Sequence, residues 1–141
     1  MILFTTEDIK APHFKRRDIQ QWIRRIAASF QRKMGDVSFV FCSDEKIIEI
    51  NKHYLAHNYC TDIITFDYSD QTSISGDIFI SIDTVRLNAG LYRVDFKQEL
   101  YRVMIHGILH LCGLKDKTQK ERKVMRQHED MALDLLENRT S

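Results

Sequence analysis

The chain has 141 residues, 43% of them hydrophobic and 29% charged. This size and composition predict one soluble domain over residues 1–141 and exclude disordered, collagen-like and low-complexity classes. The 21 basic and 20 acidic residues give a net charge of +1, so general electrostatic attraction alone would not bind nucleic acid strongly. No apolar run approaches the ~18 residues of a membrane span, and the N-terminus is acidic where a signal peptide is basic, so we expect a cytoplasmic protein without a membrane partner.

Hydrophobic periodicity predicts the elements of the first half of the chain. Residues 1–5 have the character of a short strand. Apolar positions at helical spacing predict an amphipathic helix over residues 16–34 that stops at Gly35. Alternating valine and phenylalanine residues predict a strand around 37–41, followed by a helix over about 44–54.

The second half of the chain continues with strands and then helices. Two β-branched and aromatic runs at 61–68 and 76–82 predict strands joined by a hairpin-like connection. A short helix follows over 83–91, with its first residue, an aspartate, as the cap. The most apolar helix covers 95–113 and ends at a glycine, and a last amphipathic helix covers 118–136. We therefore predict a single compact α+β domain, with a small mixed sheet of three or four strands, four or five helices, and a metal site on the central helix.

The cysteines carry little information about function. Cys42, Cys60 and Cys112 are odd in number and include no C-x-x-C pair. This pattern argues against a disulfide framework and against a zinc ribbon. We expect buried free thiols.

Two histidines on the predicted central helix form a candidate metal site. His106 and His110 in HGILH are four positions apart, so both imidazoles project from one helix face and can bind one ion. The alternative is a pair of hydrogen-bonded core histidines. An unpaired imidazole is costly inside an apolar helix, and Gly107 costs the helix ~1 kcal/mol relative to alanine. We interpret this glycine as leaving room for substrate or solvent beside the metal.

A third ligand is available just after the helix. Gly113 would end the helix and turn the chain back, which could bring Asp116 to the same ion in an H-x3-H-x5-D constellation. Three protein ligands with one open position are the catalytic arrangement, whereas a structural zinc site is normally closed by four ligands. An ion there would acidify a bound water and polarise a phosphoryl oxygen.

Other polar clusters have simpler explanations. His53 and His57 are also four apart, but no third ligand follows at a familiar spacing, so a solvated surface or a helix-end cap is expected. The basic residues after Asp116 alternate with glutamine and glutamate, which favours a solvated helix face over phosphate contacts. Glycine follows His106 where a zinc protease of the H-E-x-x-H type has glutamate, and this argues against peptide hydrolysis.

Three motifs together support a resemblance to a known family. HGILHLCGLKD is similar to the HGxLHLxGYDH signature of the YbeY family of metal-dependent endoribonucleases, and TDIITF and GDIFIS resemble that family's TDVLSF and GDIxIS segments in the same order. The match covers roughly residues 36–135. The resemblance implies a compact α+β hydrolase with one zinc ion, or another divalent transition metal, held by His106, His110 and Asp116. It also implies single-stranded RNA as substrate, with a role on the small ribosomal subunit in maturation of the 3′ end of its RNA and in ribosome quality control.

The sequence departs from the family pattern at two places. The positions of the family's aspartate and third histidine hold Lys115 and Asp116, so the third ligand would be a carboxylate. Leu55 stands where the family's LNxxYR segment has arginine, and Lys52 or His57 could replace that side chain. Two other functions stay open: a non-catalytic ribosome-assembly factor stapled by its metal, which a closed set of four ligands would favour, and a metal-dependent hydrolase of another substrate, which a deep closed pocket would favour.

Overall fold

A four-stranded mixed sheet organises the fold, in a computed structural model that describes residues 1–54 and 61–140. The elements in chain order are β1 (Ile2–Thr6), α1 (Arg16–Ser29), β2 (Lys33–Cys42), α2 (Asp44–Tyr54), β3 (Ile63–Asp67), β4 (Ser73–Ser81), α3 (Ile82–Tyr92), α4 (Phe96–Leu111) and α5 (Gln119–Thr140). This confirms the predicted α+β class and its small mixed sheet.

The strands lie in the order β1-β2-β4-β3. β2 pairs in parallel with both β1 and β4, and β3 pairs antiparallel with β4 at one edge. Parallel neighbours need a long crossover connection, and α1 supplies it between β1 and β2. Alternation along β4 places Ile74, Ile78 and Ile80 in the main core and Phe79 on the opposite face.

The helices cover the sheet unequally. The main core joins one face of the sheet to apolar residues of α1, α3, α4 and α5, whereas α2 packs a smaller cluster on the other face. Trp22 in α1 donates a hydrogen bond from Nε1 to the carbonyl of Ala132 in α5, at 2.8 Å. α4 contacts α1, α3, α5 and strands β3 and β4, which places it at the centre of the domain as predicted. None of the helices in the described ranges is both long and apolar enough to cross a membrane.

The predicted end of the first helix at Gly35 is wrong. α1 ends at Ser29, Gln31 takes a left-handed backbone conformation with φ 61°, and β2 already begins at Lys33. Gly35 lies inside β2, at a register irregularity opposite β4, where an added Cβ would come within 2.6 Å of the carbonyl oxygen of Ile74. The glycine is required for the close approach of two strands and does not terminate a helix.

The β4 and α3 boundaries also differ from prediction. β4 begins at Ser73, because Asp70 accepts hydrogen bonds from the backbone amides of Thr72 and Ser73 and closes a tight turn. The N-cap of α3 is Ser81, whose Oγ accepts from the amide of Thr84. Asp83 does not cap α3: its carboxylate accepts from the amide of Asp44 and so ties α3 to α2.

Candidate metal centre

α4 presents two imidazoles to one carboxylate. The rings of His106 and His110 lie 4.6 Å apart between centroids, as expected for positions one helical turn apart. Nε2 of His106 lies 3.2 Å from Oδ2 of Asp116, and Nε2 of His110 lies 3.3 Å from the same oxygen. The ligand atoms of the three residues all lie within 4.8 Å of one another, an arrangement that could hold a metal ion.

The turn after α4 brings Asp116 to the histidines. Gly113 adopts φ 106°, a left-handed conformation that favours glycine. Its amide donates to the carbonyl of His110, and the amide of Leu114 donates to the carbonyl of Leu109, both at 3.0 Å. These two bonds cap the helix and reverse the chain, so the expectation that Gly113 ends the helix and returns the chain toward the histidines is confirmed.

The hydrogen bonds of the imidazoles leave the Nε2 atoms available. Nδ1 of His106 lies 2.7 Å from Oε2 of Glu129, and Nδ1 of His110 lies 2.9 Å from the carbonyl oxygen of Leu114. Both partners are acceptors, so each Nδ1 donates a proton and each Nε2 lone pair faces Asp116. This is the tautomer that a metal-binding histidine needs, with an oxygen behind it that fixes the ring. The donor set therefore fits a divalent ion.

Glu129 is the functional residue that sequence reasoning missed. The residue is only 5% exposed. Its Oε1 accepts a 3.0 Å hydrogen bond from Nη1 of Arg102, and its Oε2 accepts from His106. Arg102 also donates to Asp130 at 2.7 Å. Burial alone would lower the pKa of His106, but the hydrogen bond and charge of Glu129 raise it above its usual value. No local motif marks this residue, because it reaches His106 from a different helix.

Comparison with known proteins identifies the family. The sequence matches the family profile described as Endoribonuclease YbeY over residues 2–137. The chain belongs to the YbeY endoribonuclease family. A protein of Parabacteroides distasonis named Endoribonuclease YbeY is 51% identical over 135 residues, covering 96% of this chain and 95% of the relative. A protein of the same name from Bacteroides thetaiotaomicron is 49% identical over 132 residues, covering 94% of this chain and 96% of the relative.

A solved structure has a similar fold. The solution structure of a Thermotoga maritima protein superposes with a TM-score of 0.67 at 26% identity, covering 96% of this chain and 89% of that one. The family profile and the named relatives confirm the resemblance drawn from HGILHLCGLKD, TDIITF and GDIFIS, and with it the expectation that this chain is an endoribonuclease.

In this YbeY chain, the candidate metal centre lies in a groove formed by residues that the structure describes. The groove has a volume of about 940 Å³, and its lining includes all three candidate ligands together with Arg102 and Glu129. Asp62, just before β3, and Glu99, in α4, also line it. Burial raises the pKa of both carboxyls above their usual values.

Gly107 does not make room beside the candidate metal centre, so the interpretation that it leaves space there for substrate or solvent is wrong. It is buried in α4 against the sheet, and an added Cβ would lie 3.0 Å from Cδ1 of Ile78 and 3.1 Å from Cδ1 of Ile63. The missing side chain therefore allows the helix to approach β3 and β4 closely. Gly107 therefore lies on the face of α4 that packs on the sheet, whereas His106 and His110 lie on the face toward Asp116.

The remaining sequence candidates lie away from the centre or outside the described residues. His53 is exposed, with its ring beside that of Tyr54. His57, Leu55 and Cys60 lie outside the described residues. The other two cysteines are free and buried, as predicted, and burial raises the pKa of Cys42 to about 12 and that of Cys112 to about 11.

Proposed function

We propose that His106, His110 and Asp116 bind one zinc ion and that the chain uses it to cleave single-stranded RNA. The observation that carries the proposal is the orientation of the imidazoles: both Nδ1 atoms are bonded to oxygen acceptors, and both Nε2 atoms face Oδ2 of Asp116. Two imidazoles and a carboxylate form a ligand set that suits zinc and also iron or manganese.

The three-ligand set supports catalysis over a purely structural role for the ion. Among the residues that the structure describes, no fourth histidine, cysteine, aspartate or glutamate joins the group. A structural zinc site is normally closed by four protein ligands, whereas a catalytic site keeps one position open. Membership of an endoribonuclease family supports the same choice.

The side chains around the centre have separable roles in this mechanism. Glu129 and the carbonyl of Leu114 hold the two imidazoles in one tautomer and one orientation. Arg102 neutralises Glu129 and fixes its carboxylate through the 3.0 Å hydrogen bond. A divalent ion held at the centre would supply Lewis acidity to a scissile phosphodiester. The groove that contains the centre gives a nucleic-acid strand access to it.

The biological role that we propose follows from the family. The relatives carry the name Endoribonuclease YbeY, and the YbeY resemblance implies ribosomal RNA as substrate. We therefore propose that the chain acts in the cytoplasm on the small ribosomal subunit, in maturation of the 3′ end of its RNA and in ribosome quality control.

Cleavage of RNA with and without a chelator tests this proposal. Purified protein should cut a single-stranded RNA, should lose the activity when dialysed against a chelator, and should regain it when zinc is added back. A double-stranded RNA of the same sequence should be cut much more slowly.

A matched pair of histidine variants guards against a contaminating nuclease. His110→Ala removes a proposed ligand and should abolish cleavage, whereas His13→Ala changes an exposed histidine outside the groove and should leave cleavage unchanged. Cleavage that persists in His110→Ala, or that a chelator does not affect, would overturn the proposal.

A further inference from the structure

The groove divides the basic residues around Asp116 into two groups. Lys115, Lys117 and Arg126 line it, whereas Lys120 and Lys123 do not, although they belong to the same stretch of sequence. From the sequence, the basic residues after Asp116 were expected to form a solvated helix face. The structure therefore distinguishes three cations at the metal centre from two that serve as controls.

The three groove cations carry charge that the described protein does not neutralise by direct pairing. In the described ranges, no carboxylate oxygen lies within 4.0 Å of a side-chain nitrogen of Lys115, Lys117 or Arg126, so none of these three residues forms an ion pair there. Arg102 lines the same groove but is bonded to Glu129 and Asp130. The unpaired cations are thus available to a ligand, and the paired one is not.

The turn that carries the two lysines is held in place by its own hydrogen bonds. Thr118 and Glu121 form a capping box at the start of α5: Oγ1 of Thr118 accepts from the amide of Glu121, and Oε1 of Glu121 accepts from the amide of Thr118. Oε1 of Glu121 also accepts from the amide of Lys117, and Arg122 donates to the carbonyl of Lys117 at 2.8 Å. The backbone under the cations is therefore fixed before any ligand binds, which lowers the entropy cost of binding.

Two carboxylates of the groove, Asp116 and Glu129, lie on the α4–α5 turn and on α5, where they face the histidines and Arg102. The other carboxylates that line the groove come from other elements. Asp62 and Asp67 belong to the β3 segment and Glu99 to α4, whereas the unpaired cations belong to the α4–α5 turn and to α5. A polyanion that enters the groove is attracted to the turn and α5 and repelled from the β3 segment. The phosphates of a bound strand should therefore lie toward the α4–α5 turn and α5, and its bases should face the other elements of the groove.

An aromatic side chain is available to a base. Tyr92, the last residue of α3, lines the groove and is 59% exposed. The helix end beneath it is fixed by a 3.0 Å hydrogen bond from the amide of Val94 to the carbonyl of Ala89. Exposed aromatic rings beside unpaired cations are the usual combination in grooves that bind single strands, because every base has a stackable face.

We propose that Lys115, Lys117 and Arg126 bind phosphates of a single-stranded RNA and that Tyr92 stacks on one of its bases. This inference rests on the proposed function and names the residues that hold the strand across the metal centre. It predicts two independent contributions to binding. The phosphate contacts depend on salt, and the stacking contact does not.

The salt dependence of binding tests the phosphate contacts. The probe is a fluorescent 2′-O-methyl RNA of about 12 nucleotides, within the usual size of single-strand sites, titrated with the metal-loaded protein and checked afterwards on a gel for integrity. Each phosphate contact in a single strand contributes about 0.7 to the slope of log affinity against log salt. The double variant Lys115→Gln/Lys117→Gln should therefore have a slope that is smaller by about 1.4. Between about 50 and 200 mM salt, the factor by which its affinity falls should be ~7 times smaller than the factor for the wild type.

The control variant removes the same charge from the same helix region. Lys120→Gln/Lys123→Gln also lowers the net charge by two but changes residues outside the groove. It should leave the slope within error of the wild type. Arg126→Gln alone should lower the slope by about 0.7.

Variants of tyrosine test the stacking contact. Tyr92→Leu should weaken binding ~5-fold or more at every salt concentration without changing the slope, and Tyr92→Phe should bind like the wild type. Tyr68→Leu is the control, because Tyr68 is also exposed but does not line the groove.

The outcomes separate this inference from the proposed function. Equal slopes for the two double-lysine variants, or a Tyr92→Leu protein that binds like the Tyr68→Leu control, would overturn the inference while RNA cleavage by the wild type stands. A wild-type protein that neither binds nor cleaves single-stranded RNA would overturn the proposed function itself.

Discussion

Replacing Glu129 by glutamine would place one donor and one acceptor where the site needs two acceptors. The two oxygens of Glu129 accept from Nδ1 of His106 at 2.7 Å and from Nη1 of Arg102 at 3.0 Å. A glutamine can satisfy only one of these donors, and its amide N–H then faces the other donor. Its size is nearly unchanged, so the variant alters hydrogen bonding and charge more than packing.

The expected loss can be worked out from burial and bond type. Glu129 is 5% exposed, so water does not replace the lost acceptor. A lost hydrogen bond to a charged or strongly polarised group costs about 1.5–3 kcal/mol. If the glutamine carbonyl stays on Arg102, the whole cost falls on the orientation of His106, and removing such an outer partner typically costs 10- to 100-fold in metal affinity. We therefore expect Glu129→Gln to weaken zinc affinity by about 30-fold.

Competition with a chromogenic chelator measures the zinc affinity without requiring activity. Asp130→Asn is the matched control, because Asp130 also accepts from Arg102 but has no contact with His106. Its zinc affinity should stay within about 2-fold of the wild type, since exposed ion pairs contribute little. Wild-type zinc affinity in Glu129→Gln would refute the reasoning that Glu129 orients a metal ligand.

Three further changes have defined outcomes. Gly107→Ala should destabilise the protein by ~1 kcal/mol in urea unfolding, because overpacking against Ile78 exceeds the gain in helix propensity. Gly90→Ala is the control: nothing lies within 4 Å of a Cβ added there, so this change should stabilise the protein by up to ~1 kcal/mol. Equal effects of the two changes would contradict the close approach of α4 to the sheet. Asp116→His should shift metal preference from Mn²⁺ toward Zn²⁺ in competition experiments, since a neutral nitrogen replaces a hard oxygen ligand; an unchanged preference would mean that Asp116 is not a ligand. The backbone amides of Ser73 and Thr72 lower the pKa of Asp70 from 3.8 to about 2, so its stabilising effect is complete above about pH 4 and lost as pH falls toward 2. The stability difference between wild type and Asp70→Ala should shrink over that range, and a constant difference would contradict this assignment.

Local pattern predicted the elements of the fold but not all of their ends. The helical spacing of apolar residues located α1 correctly, because the residues of a buried helix face recur in the sequence at fixed intervals. Its end was misplaced because Gly35 is a common sign of a helix stop. In the structure that glycine serves a contact with Ile74 on another strand, and no local pattern records a contact between strands so far apart in the chain.

The same distinction applies to the metal centre. His106, His110 and Asp116 could be grouped from sequence, because helical spacing and the turn at Gly113 are local properties. Glu129 could not, because it meets His106 only when α5 packs on α4. A buried glutamate on an amphipathic helix has the same sequence pattern as an exposed one.

The role of Gly107 was misread for a related reason. Its position between the two histidines suggested a gap at the metal, but residues one position apart on a helix face different directions. The neighbours of Gly107 are Ile78 and Ile63 of the sheet. Only the docking of α4 on β3 and β4 gives that information.

The metal content of ligand variants tests the central claim most directly. Elemental analysis of the purified wild type should find about one transition-metal ion per chain, as expected for a single three-ligand site. His106→Ala, His110→Ala and Asp116→Ala should each lose most of it while keeping the far-UV spectrum of the fold, and His13→Ala should retain it. Wild-type metal content in any of the three ligand variants would contradict the claim that these side chains together hold the ion.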